Sequence, residues 1–237
     1  MKTKELFLED PYLKECDSSA VSVEFTDLTV DKTIFFSTLY GQQNDKGEVT
    51  IDDKTYGIVD VWTDGDYTHL ISLDTYPQDL TGKIIHQKLD WDVRYIHMRF
   101  RTALFIIAGL AYKFYNAKSR IGQTYDDKAW IDLYIDDITQ DIVDNIITEA
   151  NKIVAHGVDV KAGYVDNTVF SKEKQMLSYS TGNLPDDENL RVINIAGLPL
   201  QADYGIYVKN TNEVGEINVK TSLIKGKLDK RLTVTLK

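Results

Sequence analysis

The sequence predicts an α+β protein: a small N-terminal antiparallel β-barrel domain over residues 1–90, then helices laid on antiparallel sheet over residues 91–237. Three observations lead there. Ala20 to Thr75 alternates in short bursts rich in β-branched and aromatic residues. Trp91 to Tyr115 repeats its large apolar residues at three- and four-residue steps. Beyond it, further alternating segments enclose a second stretch of helical period.

In the first domain the bursts are VSVEF, KTIFFS, EVTI, YGIVDVW and THLISL, broken by DLTVD, QQNDKG and TDGD. Period-2 patterning punctuated by Asn, Asp and Gly argues for short antiparallel strands in a small barrel or sandwich. A last strand in TGKIIHQKLDW leads to a boundary near Trp91.

The helix Trp91 to Tyr115 places Ile96, Phe100, Leu104, Ile107, Leu110 and Phe114 on one stripe, the predicted core face. Arg94, His97, Arg101 and Phe105 follow the same step on a second face, so the chemistry the helix offers comes from there. Further on, Lys128–Tyr134 reads as a strand and Thr139–His156 as an amphipathic helix ending at Gly157, its buried stripe Ile142, Ile146, Ile147, Ala150 and Ile153. Val158–Tyr164 reads as a strand, and Ser171–Tyr179 as a short helix before the loop NLPDDEN. The segments 190–195, 204–209, 216–224 and 230–236 read as strands.

The 237 residues are 43% hydrophobic, enough for one sizeable core or two modest ones. The longest apolar run, Thr102 to Tyr112, is about half the roughly 20 residues that cross a bilayer, so no membrane partner is expected. The opening MKTKELFLEDPYLKE mixes acidic with apolar residues and does not read as a secretory signal, which makes a cytoplasmic location the expectation. The single cysteine, Cys16, cannot form an intrachain disulfide, and four histidines stock a zinc site poorly.

Net charge is −10, but it is unevenly spread. Residues 93–120 hold six basic and no acidic residues; residues 126–149 hold eight acidic and one basic; residues 204–237 hold seven basic and three acidic. The two basic islands form one anion-binding path if the fold brings them together, and otherwise a charge-segregated surface. Asp126, Asp127, Asp132, Asp136 and Asp137 mix turn positions with an outward strand face and read as solvated surface rather than a metal site. His97 has no partner at ligand spacing on its helix and reads as structural. No nucleophile elbow, P-loop or Rossmann glycine pattern occurs.

The order TIFFSTLYGQQNDKG, KLDWDVRYIHMRFRTALFIIAG, LRVINIAGLPLQADYGIYVKNTNEVGEINV and KGKLDKRLTV resembles the alanyl-tRNA editing proteins of AlaX type, free-standing relatives of the editing domain of alanyl-tRNA synthetase, over essentially the whole chain. In that family a threonine strand leads into a Gly-Gly-Gly-Gln loop, a helix carries His-x-x-x-His, and a later loop carries a Cys and a His before V-x-N-T-x-E-(I/V)-G. This sequence keeps MRxxTAL and the VKNTNEVG of Val208 to Gly215.

The ligands themselves are changed. The resemblance places the two helix histidines at Arg101 and Phe105, and the Cys and His at Tyr204 and Tyr207 with one residue fewer between them. A tetrahedral zinc site needs imidazole, thiolate or carboxylate donors at about 2.0–2.3 Å, so no metal and no cofactor are expected, although the family implies zinc. Arg101 then either supplies a fixed guanidinium in place of part of the cation's charge, or pairs with an acidic neighbour while Phe105 fills the void. The glycine loop keeps Gly41 and Gln42 but has Leu39 and Tyr40 where the family has glycines, which narrows the pocket. Thr33 matches the family threonine implicated in recognising a misattached serine.

The resemblance implies action on, or binding of, mischarged aminoacyl-tRNA, such as Ser- or Gly-tRNA for alanine. Arg101, Tyr204 and Tyr207 are the candidate catalytic contacts, and Thr33, Gly41 and Gln42 the candidate substrate contacts. The other reading is a non-catalytic tRNA-binding or interaction module on the same scaffold. Both share a tRNA acceptor end as partner, with no DNA, and phosphate contacts from Arg94, Arg99, Lys113, Lys118, Arg120, Lys225, Lys227, Lys230 and Arg231.

Overall fold

The computed structural model describes residues 2–135, 138–168, 177–178, 189–223 and 230–237, giving backbone only at 120, 121, 177, 178, 223 and 230. The chain forms two compact units: Met1–Leu39 with Gln43–Ile96, and Tyr40–Gln42 with His97–Lys237.

The first unit runs β1 (Lys4–Glu5), β2 (Glu15–Glu24), β3 (Asp27–Val30), β4 (Lys32–Thr33), β5 (Gly47–Ile51), β6 (Lys54–Thr63), β7 (Thr68–Ser72) and β8 (Ile84–Leu89). Six of these close into a barrel in the order β2-β3-β7-β6-β5-β8, with every pairing antiparallel. Closure follows from the pattern: β7 alternates so that Thr68, Leu70 and Ser72 point inward, and Val49 and Ile51 do the same on β5. Leu28, Val30, Val49, Val61, Leu70 and Ile85 are among the residues that fill the core.

Helix α1 (Trp91–Tyr115) is one unbroken helix with the predicted bounds. The Asp90 carboxylate accepts from the Asp92 and Val93 amides at 3.2 and 3.4 Å, so it caps the start. Its two faces differ from expectation. Phe100, Leu104, Ile107 and Leu110 are buried, but Phe114 is exposed and Ile96 only half-buried, while the second face (Arg94, His97, Arg101, Phe105) is buried throughout. The helix is enclosed on all sides along its middle, so a one-sided stripe underestimates its burial.

In the second unit, β9 (Lys118–Thr124) and β10 (Ala129–Tyr134) form a hairpin, followed by α2 (Gln140–His156) and β11 (Val160–Asp166). The short β12 (Leu177–Ser178), β13 (Asn189–Ile195), β14 (Gln201–Ala202), β15 (Ile217–Leu223) and β16 (Lys230–Leu236) follow. They make two four-stranded sheets, β15-β16-β10-β9 and β11-β13-β14-β12. The protein is therefore α+β with an N-terminal antiparallel barrel, as predicted.

Helix α2 starts where Thr139 accepts the Ile142 amide and stops at Gly157 in the left-handed conformation (φ 72°). Its buried line is Val143, Ile146, Ala150 and Val154, rotated from the predicted stripe, with Ile142, Ile147 and Ile153 on its flanks. Asn151 on this helix donates to the Ile217 carbonyl at 2.9 Å and accepts the Ile217 amide at 2.8 Å, docking α2 on β15.

Two further expectations are corrected. Residues 204–209 form no strand: their amides are taken by side chains, the Gln42 carbonyl oxygen for Ile206 (3.1 Å) and the Thr102 hydroxyl for Val208 (3.2 Å). Asp132 is buried and ion-paired with Arg231 at 2.8 Å rather than outward and solvated. The loop at NLPDDEN and most of the helix expected at Ser171–Tyr179 lie outside the described residues, though Leu177 and Ser178 pair in parallel with β14.

Candidate functional site

In the second unit the residues around Arg101 come from three places: the middle of α1, the turn Tyr40–Gln42, and the irregular segment 203–208. The irregularity arises where the amides of Gly205, Ile206 and Val208 find side chains in place of a neighbouring strand, while the Asp203 amide still donates to the Arg191 carbonyl.

Arg101 is fully buried. Its Nε donates to Asp203 Oδ2 at 3.1 Å, its Nη2 to Asp203 Oδ1 at 2.5 Å, and its Nη1 to the Tyr40 carbonyl at 2.6 Å. This is a two-pronged guanidinium–carboxylate pair shielded from water. Asp203 also accepts the Gly205 amide at 3.0 Å and a short hydrogen bond from the Tyr207 hydroxyl. Burial first, and then the Asp203 carboxylate beside it, push the Tyr207 phenol well above its ordinary value, so it keeps its proton and remains a donor. Arg191, itself buried, donates to the carbonyls of Asp203 (2.9 Å) and Gly205 (2.8 Å) and fixes the same loop from behind.

Phe105 is buried and meets the Tyr207 ring edge-on at 5.0 Å. Of the two roles open for Arg101, pairing with an acidic neighbour beside a filling Phe105 describes this geometry. The zinc implied by the resemblance does not fit these residues. A guanidinium and a phenyl ring donate no electron pair to a metal, the Tyr207 phenol keeps its proton, and the Asp203 carboxylate is already taken by Arg101. Among the described residues no group of three His, Cys, Asp or Glu side chains is placed to hold a metal ion.

The turn carries the other matched residues. Gly41 has φ 77°, and a Cβ there would lie 2.0 Å from the Gly122 carbonyl oxygen on β9, so glycine is needed for close backbone approach. The Gly41 carbonyl accepts the Thr124 amide at 2.9 Å. Gln42 is fully buried; its carbonyl oxygen holds Ile206, while its Nε2 has no partner among the described residues. Tyr40 also has positive φ, 51°, and its ring lies 5.6 Å from that of Tyr204.

Other candidates are dispersed. Thr33 belongs to the first unit, where its buried hydroxyl donates to Gln87 Oε1 at 2.7 Å and accepts the Phe35 amide at 3.0 Å. Arg94 is corrected as a phosphate contact: it is fully buried, ion-paired with Asp45, and donates to the carbonyls of Pro11 (2.9 Å) and Ile34 (2.5 Å). Arg99 donates to the Val214 carbonyl at 2.9 Å and that of Lys237 at 3.2 Å. Lys113 is exposed and donates to the Gly197 carbonyl at 2.8 Å; Lys118 is exposed at the start of β9. Arg231 lies 3.5 Å over the Trp130 ring while paired with Asp132. Lys225 and Lys227 fall outside the described residues, as do the side chains of Arg120 and Lys230. His97 is buried with Nε2 2.9 Å from Asp126, a partner on the turn before β10.

Sequence reasoning missed Asp203, Arg191 and Thr102. Asp203 had one signal, a lone acidic residue in the otherwise apolar and aromatic run LPLQADYGIYV.

A closed barrel followed by an α+β unit, in which a helix and a late loop meet at a buried guanidinium–carboxylate pair, defines the class as an α+β protein with an N-terminal antiparallel barrel. No family model matches the chain. It is 31% identical over 239 residues to the alanyl-tRNA editing protein AlaX-M of Saccharolobus solfataricus, covering 99% of each chain. It is 27% identical to AlaX-M of Methanosarcina barkeri, again over 99% of both. It is 28% identical to the alanine–tRNA ligase of Ignicoccus hospitalis over 92% of this chain and 24% of that ligase. The chain belongs to the AlaX-M alanyl-tRNA editing proteins.

Proposed function

We propose that this protein works in trans on mischarged aminoacyl-tRNA, of the seryl- or glycyl-tRNA(Ala) kind, that it engages the acceptor end, and that it does so without zinc. Support for the substrate class comes from its relatives, which are named as alanyl-tRNA editing proteins along their whole length. The metal-free part rests on one observation: Arg101, where the resemblance expects a ligand, is buried and paired with Asp203, the residue before Tyr204.

An aminoacyl ester is already reactive, so holding it against a water and offering donors to the developing oxyanion accelerates its hydrolysis without a Lewis acid. Gln42 Nε2, a buried donor with no partner among the described residues, is suited to a carbonyl oxygen of such a substrate. Exposed Lys113 and Lys118 are the described candidates for phosphate contact.

A second reading is favoured by a specific observation: all three guanidinium nitrogens of Arg101 already donate within the protein, leaving its charge committed to structure. On that reading the protein binds aminoacyl-tRNA without hydrolysing it. Deacylation of Ser-tRNA(Ala), followed with and without chelator, separates the two. The expected result is turnover insensitive to chelator; salt-dependent tRNA binding without turnover establishes the second reading. Stoichiometric zinc in the purified protein, or turnover abolished by chelator, overturns the metal-free assignment.

A further inference from the structure

Two of the changed positions touch each other. Tyr40 stands where the resemblance has a glycine and Tyr204 where it has a cysteine, and their half-buried rings lie 5.6 Å apart at 33°. A bulky residue rarely adopts the left-handed conformation, yet Tyr40 has φ 51°. Arg101 fixes it there by donating to the Tyr40 carbonyl, and the same guanidinium grips Asp203, the residue before Tyr204. Arg191 further holds the carbonyls on both sides of Tyr204. A single buried network thus sets two rings whose backbones have little freedom, and a preorganised aromatic pair loses little entropy when a flat ligand settles on it.

We propose that Tyr40 and Tyr204 form a stacking seat for the unpaired terminal base of the tRNA acceptor end. This rests on the tRNA reading above and names the group that site takes. A seryl or glycyl side chain has no flat face to offer two phenols, whereas an unpaired base at the end of a strand does, and single-stranded RNA is held in large part by such stacking. Gln42, two residues from Tyr40 on the same turn, is fully buried, and among the described residues its Nε2 finds no hydrogen-bond partner, so the turn also holds a donor the protein leaves unused.

The test measures binding of intact tRNA(Ala) and of the same tRNA lacking its terminal adenosine, over one shared series of salt concentrations. It uses the unaltered protein, Tyr204→Phe, Tyr40→Gly and the pair Tyr40→Gly with Tyr204→Ala. Glycine suits the positive φ at 40, and thermal unfolding checks that each variant is folded. The expected result is a preference for the intact end of about tenfold or more, kept by Tyr204→Phe, reduced by Tyr40→Gly and lost in the double variant, with the slope of binding against salt unchanged. If the unaltered protein binds both tRNAs equally, or the double variant keeps the preference, the seat is refuted and the rings are only a cover, while the tRNA reading stands. If neither tRNA binds, the tRNA reading falls and takes the seat with it.

Discussion

Replacing Asp203 with asparagine is the sharpest probe of the buried centre. The carboxylate receives Arg101 Nε and Nη2, the Gly205 amide and the Tyr207 hydroxyl. Asparagine retains one acceptor oxygen, removes the negative charge, and turns an amide NH2 toward groups that are themselves donors. Arg101 is then a fully buried cation that has lost its paired carboxylate and faces a neutral amide in its place. Breaking a buried pair from one side costs about 3–5 kcal/mol, because the remaining charge is neither solvated nor paired. At 2–4 °C per kcal/mol for a chain of this size, the second unit's unfolding midpoint should fall by roughly 6–20 °C. Urea and thermal unfolding followed by circular dichroism measure it. The companion variant, Arg101→Met with Asp203→Leu, removes both charges and should cost less than Asp203→Asn alone, since desolvation is relieved together with attraction. Asp203→Asn unfolding within about 1 kcal/mol of the parent, or a double variant worse than the sum of its parts, would refute the reasoning.

Two other perturbations test the framework. Gly41→Ala drives a Cβ to 2.0 Å from the Gly122 carbonyl and forces a left-handed alanine, so it should lose at least about 2 kcal/mol in urea titration; Gly163→Ala, with open space around it, should stay within about 0.5 kcal/mol. The raised Tyr207 phenol predicts an alkaline limit. Its stabilising contribution is full below the phenol's unfolded value near 10 and is lost as pH climbs from there toward the higher folded value, at about 1.4 kcal/mol per pH unit, which unfolding titrations at pH 9 to 11.5 should resolve; Tyr207→Phe should remove that share of the slope and leave the shares of the raised Tyr76 and Cys16.

Much of the fold was legible because its signals are local. Thr139 and Gly157 bracket α2 with a side-chain cap and a left-handed stop, both readable as residue types. The α1 bounds followed from an uninterrupted 3.6-residue repeat. The motif frame around VKNTNEVG located the late loop, whose Asn210 and Glu213 form a capping box. What could not be read locally is who meets whom. Arg101 and Asp203 are 102 positions apart, so a basic residue on a helix gave no hint that its partner was a single aspartate in a later apolar run. Arg94 misled for the same reason: it looked like part of a basic island, yet Asp45, 49 positions away, neutralises it inside the first unit. Segment 204–209 alternates like a strand, but its amides are claimed by Gln42 and Thr102, side chains from elsewhere in the chain.

The β15-β16-β10-β9 sheet is bordered on both rims. At one, the Asn151 side chain presents its amide group to Ile217 much as one more peptide unit would; at the other, the Gly41 carbonyl occupies the Thr124 amide. A foreign chain arriving at these places finds donors and acceptors already answered, so a ribbon made by joining sheets side by side has no starting point there. That protection comes from a helix and a turn rather than from strand chemistry.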